Sequence, residues 1–367
     1  MLLDMRTARF LLVALMSAVS VLPLWGQLAD AGPQTRAKCG QYLRTPLPKE
    51  ADHVPTPKKW PSCASYKLYS GIETHVDYVA ARNCAWSERL ATKAELEPRF
   101  TVGSVFGGAA MLTQIYANGE GVEKNIPLAL RFTCEAEGAP AEISIRVESL
   151  ETLRDNPVKQ SDKFAFCDAT TSGFMMGFCA AYHSELEEQK RKQQLADLSQ
   201  NWTVRQLIAF RSLVLAEEAY ASAHARGEVD LSGTARAMYE IEEEDGVRDN
   251  FLEALKAYEK GALPKPSGSA VESDKTLNLE YKKMIADAEA HKDDYGAVQP
   301  EGIRGAERAW LKYRDAWVAF VKIRYPSVSE SVWLQMLSDD RVLVLTGKCC
   351  GSDPNDEHAA QNPRPLP

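Results

Sequence analysis

Residues 306–321 read AERAWLKYRDAWVAFV, and their aromatic spacing decides the fold class. Trp310, Tyr313, Trp317, Phe320 and Val321 recur at i, i+3, i+7, i+10 and i+11, which is one stripe of an α-helix. Leu277, Tyr281, Met284, Ile285 and Ala288 form a second stripe upstream. Asp293, Asp294, Gly296 and Pro300 mark a turn between the two, so the helices are expected to pack antiparallel. Val332, Met336, Val342 and Leu345 give a third, less regular stripe. Alternating apolar–polar runs bounded by hairpin turns are missing, which argues against a β fold. The expected class is mainly α: a short helical-hairpin repeat domain followed by an antiparallel helical bundle.

Working outward, residues 1–26 carry Arg6 and Arg9 ahead of the uncharged run Phe10 to Trp25, FLLVALMSAVSVLPLW. The run is short for a membrane span, which needs about 20 residues. Its basic start and polar sequel read as a secretory signal peptide, cleaved after Gly26 or in the Ala29–Ala31 stretch. An uncleaved anchor is the alternative. The expected location is periplasmic or secreted, with no stable membrane span after cleavage.

The 367-residue chain is 45 % apolar and 26 % charged, as a folded protein of two or three domains would be. Its formal charge of −8 argues against a nucleic-acid binder, which would normally need a basic surface. Removing residues 1–26 takes away Asp4, Arg6 and Arg9 and makes the chain one unit more negative. Residues 27–62 read as a Pro-rich, extended lead-in, 63–152 as a helical repeat-like domain, and 160–346 as a helical domain. Residues 347–367 read as a flexible tail.

Eight cysteines follow the leader: Cys39, Cys63, Cys84, Cys134, Cys167, Cys179, Cys349 and Cys350. An exported chain with an even count points to disulfides. The spacing lacks the paired-ligand patterns of a metal site, so neither a metal nor a cofactor is expected. Cys167 and Cys179 would lie about 18 Å apart on one continuous helix, too far to bond. Thr170 to Gly173 suggest that a helix starts between them, which lets Cys167 fold back onto Cys179. Cys63 and Cys84 are the second candidate pair, joining two helices of the first hairpin.

The repeat-like domain echoes itself. Ala81 and Ala129 lie forty-eight residues apart, Arg82 and Arg131 forty-nine, Cys84 and Cys134 fifty. Leu112, Tyr116, the turn Gly119-Glu-Gly121-Val122, Lys124-Asn125, Ala129 and Gly138 resemble a Sel-one-like repeat, a relative of the tetratricopeptide repeat. Such repeats resemble protein-binding scaffolds; a plain helical hairpin is the competing reading.

A second set of motifs runs in order through residues 164–346. It comprises Phe166-Cys167, Cys179, Leu277-Asn278-Leu279-Glu280-Tyr281, Trp310-Leu-Lys-Tyr313-Arg314-Asp315, and Leu337-Ser-Asp-Asp-Arg341. Together they resemble the family named for the N-terminal domain of the lysozyme inhibitor LprI. That resemblance implies an exported, non-enzymatic protein that binds a protein partner, with lysozyme as the candidate, by covering its substrate cleft. Leu277, Asn278, Tyr281, Trp310, Tyr313, Arg314, Asp315 and Arg341 are then the motif residues. Two departures stand out: Val318 and Trp333 occupy positions where relatives carry a cysteine pair. A segment at about 183–272 reads as a helical insertion, opened by the capping box Thr203-Val-Arg-Gln206.

Arg314 and Asp315 are sequence neighbours, so they are expected to point to different parts of the helix surface, with Arg314 on a helix end or a carboxylate of the bundle. The acidic runs Glu217-Glu218 and Glu242-Glu243-Glu244-Asp245 read as solvated helix faces rather than a glycosidase pair. No G-x-S-x-G, Walker loop or G-x-G-x-x-G occurs, and no catalytic residue is assigned. The alternative function is a periplasmic scaffold that uses the repeat-like domain.

Overall fold

The computed structural model describes residues 32–96, 101–159 and 161–347. They form thirteen α-helices and four short 3-10 turns, with no strand among the described residues. The fold is mainly α. No helix among the described residues is long and apolar enough to cross a membrane. The leader, the tail and the Cys349-Cys350 pair lie outside the described residues. The chain divides into two compact units, Met1–Leu186 and Glu187–Pro367.

The first unit contains α1 (Pro33–Tyr42), α2 (Ser65–Ser70), α3 (Tyr78–Lys93), α4 (Val102–Phe106), α5 (Gly108–Asn118), α6 (Ile126–Glu135), α7 (Pro140–Asp155) and the start of α8 (Gly173–Ser199). Neighbours in this order pack on one another: α2 on α3, α3 on α5, α5 on α6 and α6 on α7. The same turn occurs twice. Helices α2 and α5 end at Gly71 and Gly119, whose φ values of 74° and 71° suit glycine. Asp77 N–H then reaches back to Leu68 C=O at 2.9 Å, and Asn125 N–H to Tyr116 C=O at 2.8 Å. Asp77 and Asn125 cap the next helices by accepting from Ala80 N (2.9 Å) and Leu128 N (3.1 Å). Ala81 and Ala129 follow, both with no exposed surface.

The repeat therefore keeps one register of forty-eight residues. Arg82 and Arg131, offset by one more, do different work. Arg82 donates to Gly121 C=O, and Arg131 to Thr45 C=O and Glu135. Cys84 and Cys134 are likewise not equivalents: Cys84 bonds Cys63, and Cys134 bonds Cys39.

The lead-in at 27–62 is not extended throughout. Pro33–Tyr42 is helical and Lys49–His53 is a 3-10 turn. Pro33 suits a first helical turn, where its missing N–H costs nothing. The Cys39–Cys134 bridge ties α1 to α6. Lys38 Nζ and Tyr42 OH both donate to Glu151 of α7, at 2.6 and 2.5 Å. These partners lie about a hundred residues away, so local composition carries no sign of them. Cys167 sits in the 3-10 turn Phe166–Ala169 and bonds Cys179 on the second turn of α8.

The second unit contains the rest of α8, then α9 (Val204–Gly227), α10 (Arg236–Glu259), α11 (Ala270–Ala290), α12 (Pro300–Arg324) and α13 (Glu330–Leu345). The Thr203/Gln206 capping box opens α9, with Gln206 Oε1 accepting from Thr203 N at 2.8 Å. Its core joins Trp202, Leu213, Tyr220, Phe251, Leu255, Tyr258, Trp310, Tyr313, Trp317, Phe320 and Trp333. Val318 and Trp333 belong to this core.

Helix α12 packs most extensively on α9, within the segment read as an insertion. The two run antiparallel: Tyr220 stacks on Tyr313 at 5.4 Å, and Phe210 meets Phe320 at 5.7 Å. At the other end Gly227 lies against Gly302, where any Cβ on Gly227 would sit 2.4 Å from the Gly302 carbonyl oxygen. Helices α9 and α10, within the segment at 183–272, thus supply part of the core of the second unit. Helix α11 does run antiparallel to α12, but it packs mainly on α13. Ala235 precedes α10 without a side-chain cap, and Ser232 bonds Asp230.

Candidate functional site

Arg341 on α13 is buried, and a buried guanidinium requires acceptors. Glu228, just past the end of α9, supplies two. Arg341 Nη2 donates to its Oε1 at 2.5 Å and Nη1 to its Oε2 at 2.9 Å. Glu307 on α12 accepts from Arg341 Nε at 3.1 Å, and Tyr220 OH from Nη1 at 3.2 Å. His224 completes the cluster. Its Nδ1 lies 2.8 Å from Glu228 Oε2 and its Nε2 3.6 Å from Glu243 Oε2 on α10.

The electrostatics follow from these contacts. Burial pushes the Glu228 pKa up, but the Arg341 charge and the His224 hydrogen bond outweigh it and hold the group at about 2. Burial pushes His224 down, and its two carboxylate partners more than reverse this, so its pKa is raised. Burial raises the Glu307 pKa, with Arg341 opposing. Arg341 brings one positive charge to Glu228 and Glu307, and the carboxylates around His224 favour its charged form.

Glu307 also faces a groove of about 250 Å³ between α11 and α12. Asp274, Leu277, Asn278 and Tyr281 line one wall; Arg304, Glu307, Arg308 and Leu311 line the other. Buried Leu277 anchors α11 in the core. Asn278 is exposed and donates to Asp274 C=O at 2.7 Å. Arg304 donates to Glu289 at 2.7 Å and Arg308 to Glu301 at 2.8 Å, so both cations are already paired. Tyr281 is half-buried and packs against the small Ala288, Val298 and Ile303 cluster.

The other motif residues divide by burial. Trp310 and Tyr313 are core side chains. Arg314 lies over the Trp310 ring at 5.5 Å, 3.8 Å from Asp274. It also donates to Asp315 at 3.1 and 3.2 Å, contrary to the expectation that sequence neighbours diverge. The long guanidinium stem curls back over one residue. Leu277, Asn278 and Tyr281 meet at the groove. Arg341 lies beneath it through Glu307, while Asp315 stands exposed outside.

Glu228, His224 and Tyr220 were not singled out from sequence. Glu307 carried a signal: it lies three residues before Trp310, on the apolar stripe itself. A carboxylate there demands a buried cation. Glu217 carries the same signal between Leu213 and Tyr220. It is 3 % exposed rather than on a solvated face, and burial raises its pKa to about 8, with Arg248 opposing. Glu244 is buried too, bonded to Arg248 at 2.9 Å. Among the described residues no three His, Cys, Asp or Glu side chains converge on a metal-sized site.

Comparisons with protein-family models, curated proteins and solved structures return no match.

Proposed function

We propose that this chain is an exported protein of the bacterial envelope, periplasmic or secreted, that acts by binding another protein without covalent chemistry. Lysozyme is the candidate partner, and inhibition would come from covering its substrate cleft. The observation that carries this reading is the meeting of the L-N-x-x-Y residues Leu277, Asn278 and Tyr281 at one groove, with Arg341 of the last motif beneath it. Three disulfides in the first unit suit an oxidising compartment. The formal charge of −8 would speed encounter with a basic enzyme.

The test is cell-wall clearing by lysozyme in the presence of the intact, oxidised protein. Inhibition should be stoichiometric and reversible, and it should weaken with salt as screening shortens to about 8 Å at physiological ionic strength. Failure against chicken-type, goose-type and invertebrate-type enzymes at tens of micromolar removes the inhibitor reading. The twice-used turn of the first unit then favours the second reading, a periplasmic scaffold that holds a partner on its helical hairpins.

A further inference from the structure

Helix α9 buries one face and leaves another bare. Val204, Ile208 and Leu215 are 74 %, 66 % and 60 % exposed. At 3.6 residues per turn these three and Ala219 fall within about 60° of arc, with Arg205 on one edge and Arg211 on the other. Val204, Ile208 and Leu215 lie at i, i+4 and i+11, on one side of the helix, with Arg211 at its edge between Ile208 and Leu215. Single exposed apolar residues are ordinary, but an aligned row of them marks a contact surface.

The charge around the row is one-sided. No Asp or Glu occurs from residue 204 to 216. Among the described residues neither Arg205 nor Arg211 has a carboxylate partner, in contrast to Arg226, Arg304, Arg308 and Arg324. In a chain of formal charge −8 this is a locally basic, apolar strip one helix wide.

We infer that the outer face of α9 docks an acidic amphipathic helix of another protein. Its apolar seam lies along Val204, Ile208 and Leu215, and its flanking carboxylates meet Arg205 and Arg211. A second copy fits badly, because it would bring four arginines to one seam with only the two Glu218 carboxylates beside them. An anionic bilayer fits badly as well. It would repel the acidic chain as a whole and would need a plane rather than a strip. The surface is separate from the α11/α12 groove, so it stands whether or not the groove binds lysozyme.

The test uses the full-length, oxidised protein and two labelled synthetic peptides of three heptads each. They share one leucine seam, flanked by Glu in one and Lys in the other. Fluorescence anisotropy should show the Glu peptide binding at least about tenfold more tightly than the Lys peptide, and more weakly as salt rises. Ile208→Asp should weaken the Glu peptide by about tenfold or more, and the Arg205→Glu/Arg211→Glu pair should reverse the preference. All three positions are exposed, so melting should be unchanged; this separates lost docking from lost folding. Four results would overturn the inference. They are equal affinity for both peptides, binding of neither, self-association abolished by Ile208→Asp, and Ile208-dependent sedimentation with phosphatidylglycerol vesicles.

Discussion

Glu228 grips both terminal nitrogens of Arg341, at 2.5 and 2.9 Å, and so fastens the end of α9 to α13. Both groups are buried, and Glu307 brings α12 to the same guanidinium.

Removing one partner should therefore cost far more than the pair contributes. Arg341→Met leaves two buried carboxylates facing each other and should destabilise by about 3–5 kcal/mol. Adding Glu228→Gln and Glu307→Gln to that variant should recover much of the loss, because the uncompensated charges go with it. Urea unfolding of the single and triple variants measures this. A loss under about 1 kcal/mol for Arg341→Met would show that water reaches the cluster.

The same cluster makes a pH prediction. The His224 pKa is raised above 6.5 in the folded state, so its contribution is complete below that value and is lost as pH rises through the folded pKa. The Glu228 pKa falls from 4.5 to about 2, so its contribution is present above 4.5 and is lost as pH falls toward 2. His224→Gln should flatten the alkaline side of the melting profile and leave the acid side in place. A His224 ring that titrates at or below 6.5 by NMR would contradict this arrangement.

Glu217 acts with the opposite sign to Glu228 and the same sign as His224. Its folded pKa of about 8 exceeds the ordinary 4.5, so the folded state favours the protonated form. Stability should decline as pH rises from 4.5 to about 8 and then level off. Glu217→Gln keeps the shape without the charge. It should raise the melting temperature, most of all above pH 8. Equal melting of variant and parent at alkaline pH would mean that the carboxylate finds a partner.

Trp310 is 3 % exposed and lies beneath Arg314. Trp310→Ala should destabilise by about 3–5 kcal/mol. Asp315→Ala, on an exposed neighbour, should change stability by less than about 0.5 kcal/mol. Unaltered melting of Trp310→Ala with lost partner binding would move this tryptophan from the core to the binding surface.

Reduction should act on the first unit alone among the described residues, because all three bridges lie there. The Cys39–Cys134 bridge closes the longest loop, so the Cys39→Ala/Cys134→Ala pair should cost about 4–5 kcal/mol by loop entropy. Proteolysis after reduction should cut before residue 186 and spare α9 to α13.

Much of the fold is legible because helical signals are local. The Asp77 and Asn125 caps, the Thr203/Gln206 box and the Trp310–Val321 stripe each lie within a few turns of chain. The turn between Cys167 and Cys179 is local in the same sense. A stripe states which face is buried, and the carboxylate of Glu307 on that stripe states that a cation is needed. It does not state which helix covers the face or which cation arrives. Those choices came from tertiary structure. Gly227 and Gly302 let the backbones of α9 and α12 meet, so α9, within the segment read as an insertion, is the main partner of α12. Cys39 found Cys134 across ninety-five residues, and Arg341 found Glu228 across more than a hundred. Packing and ion pairing act through space, whereas periodicity along a chain records only the side that must be hidden.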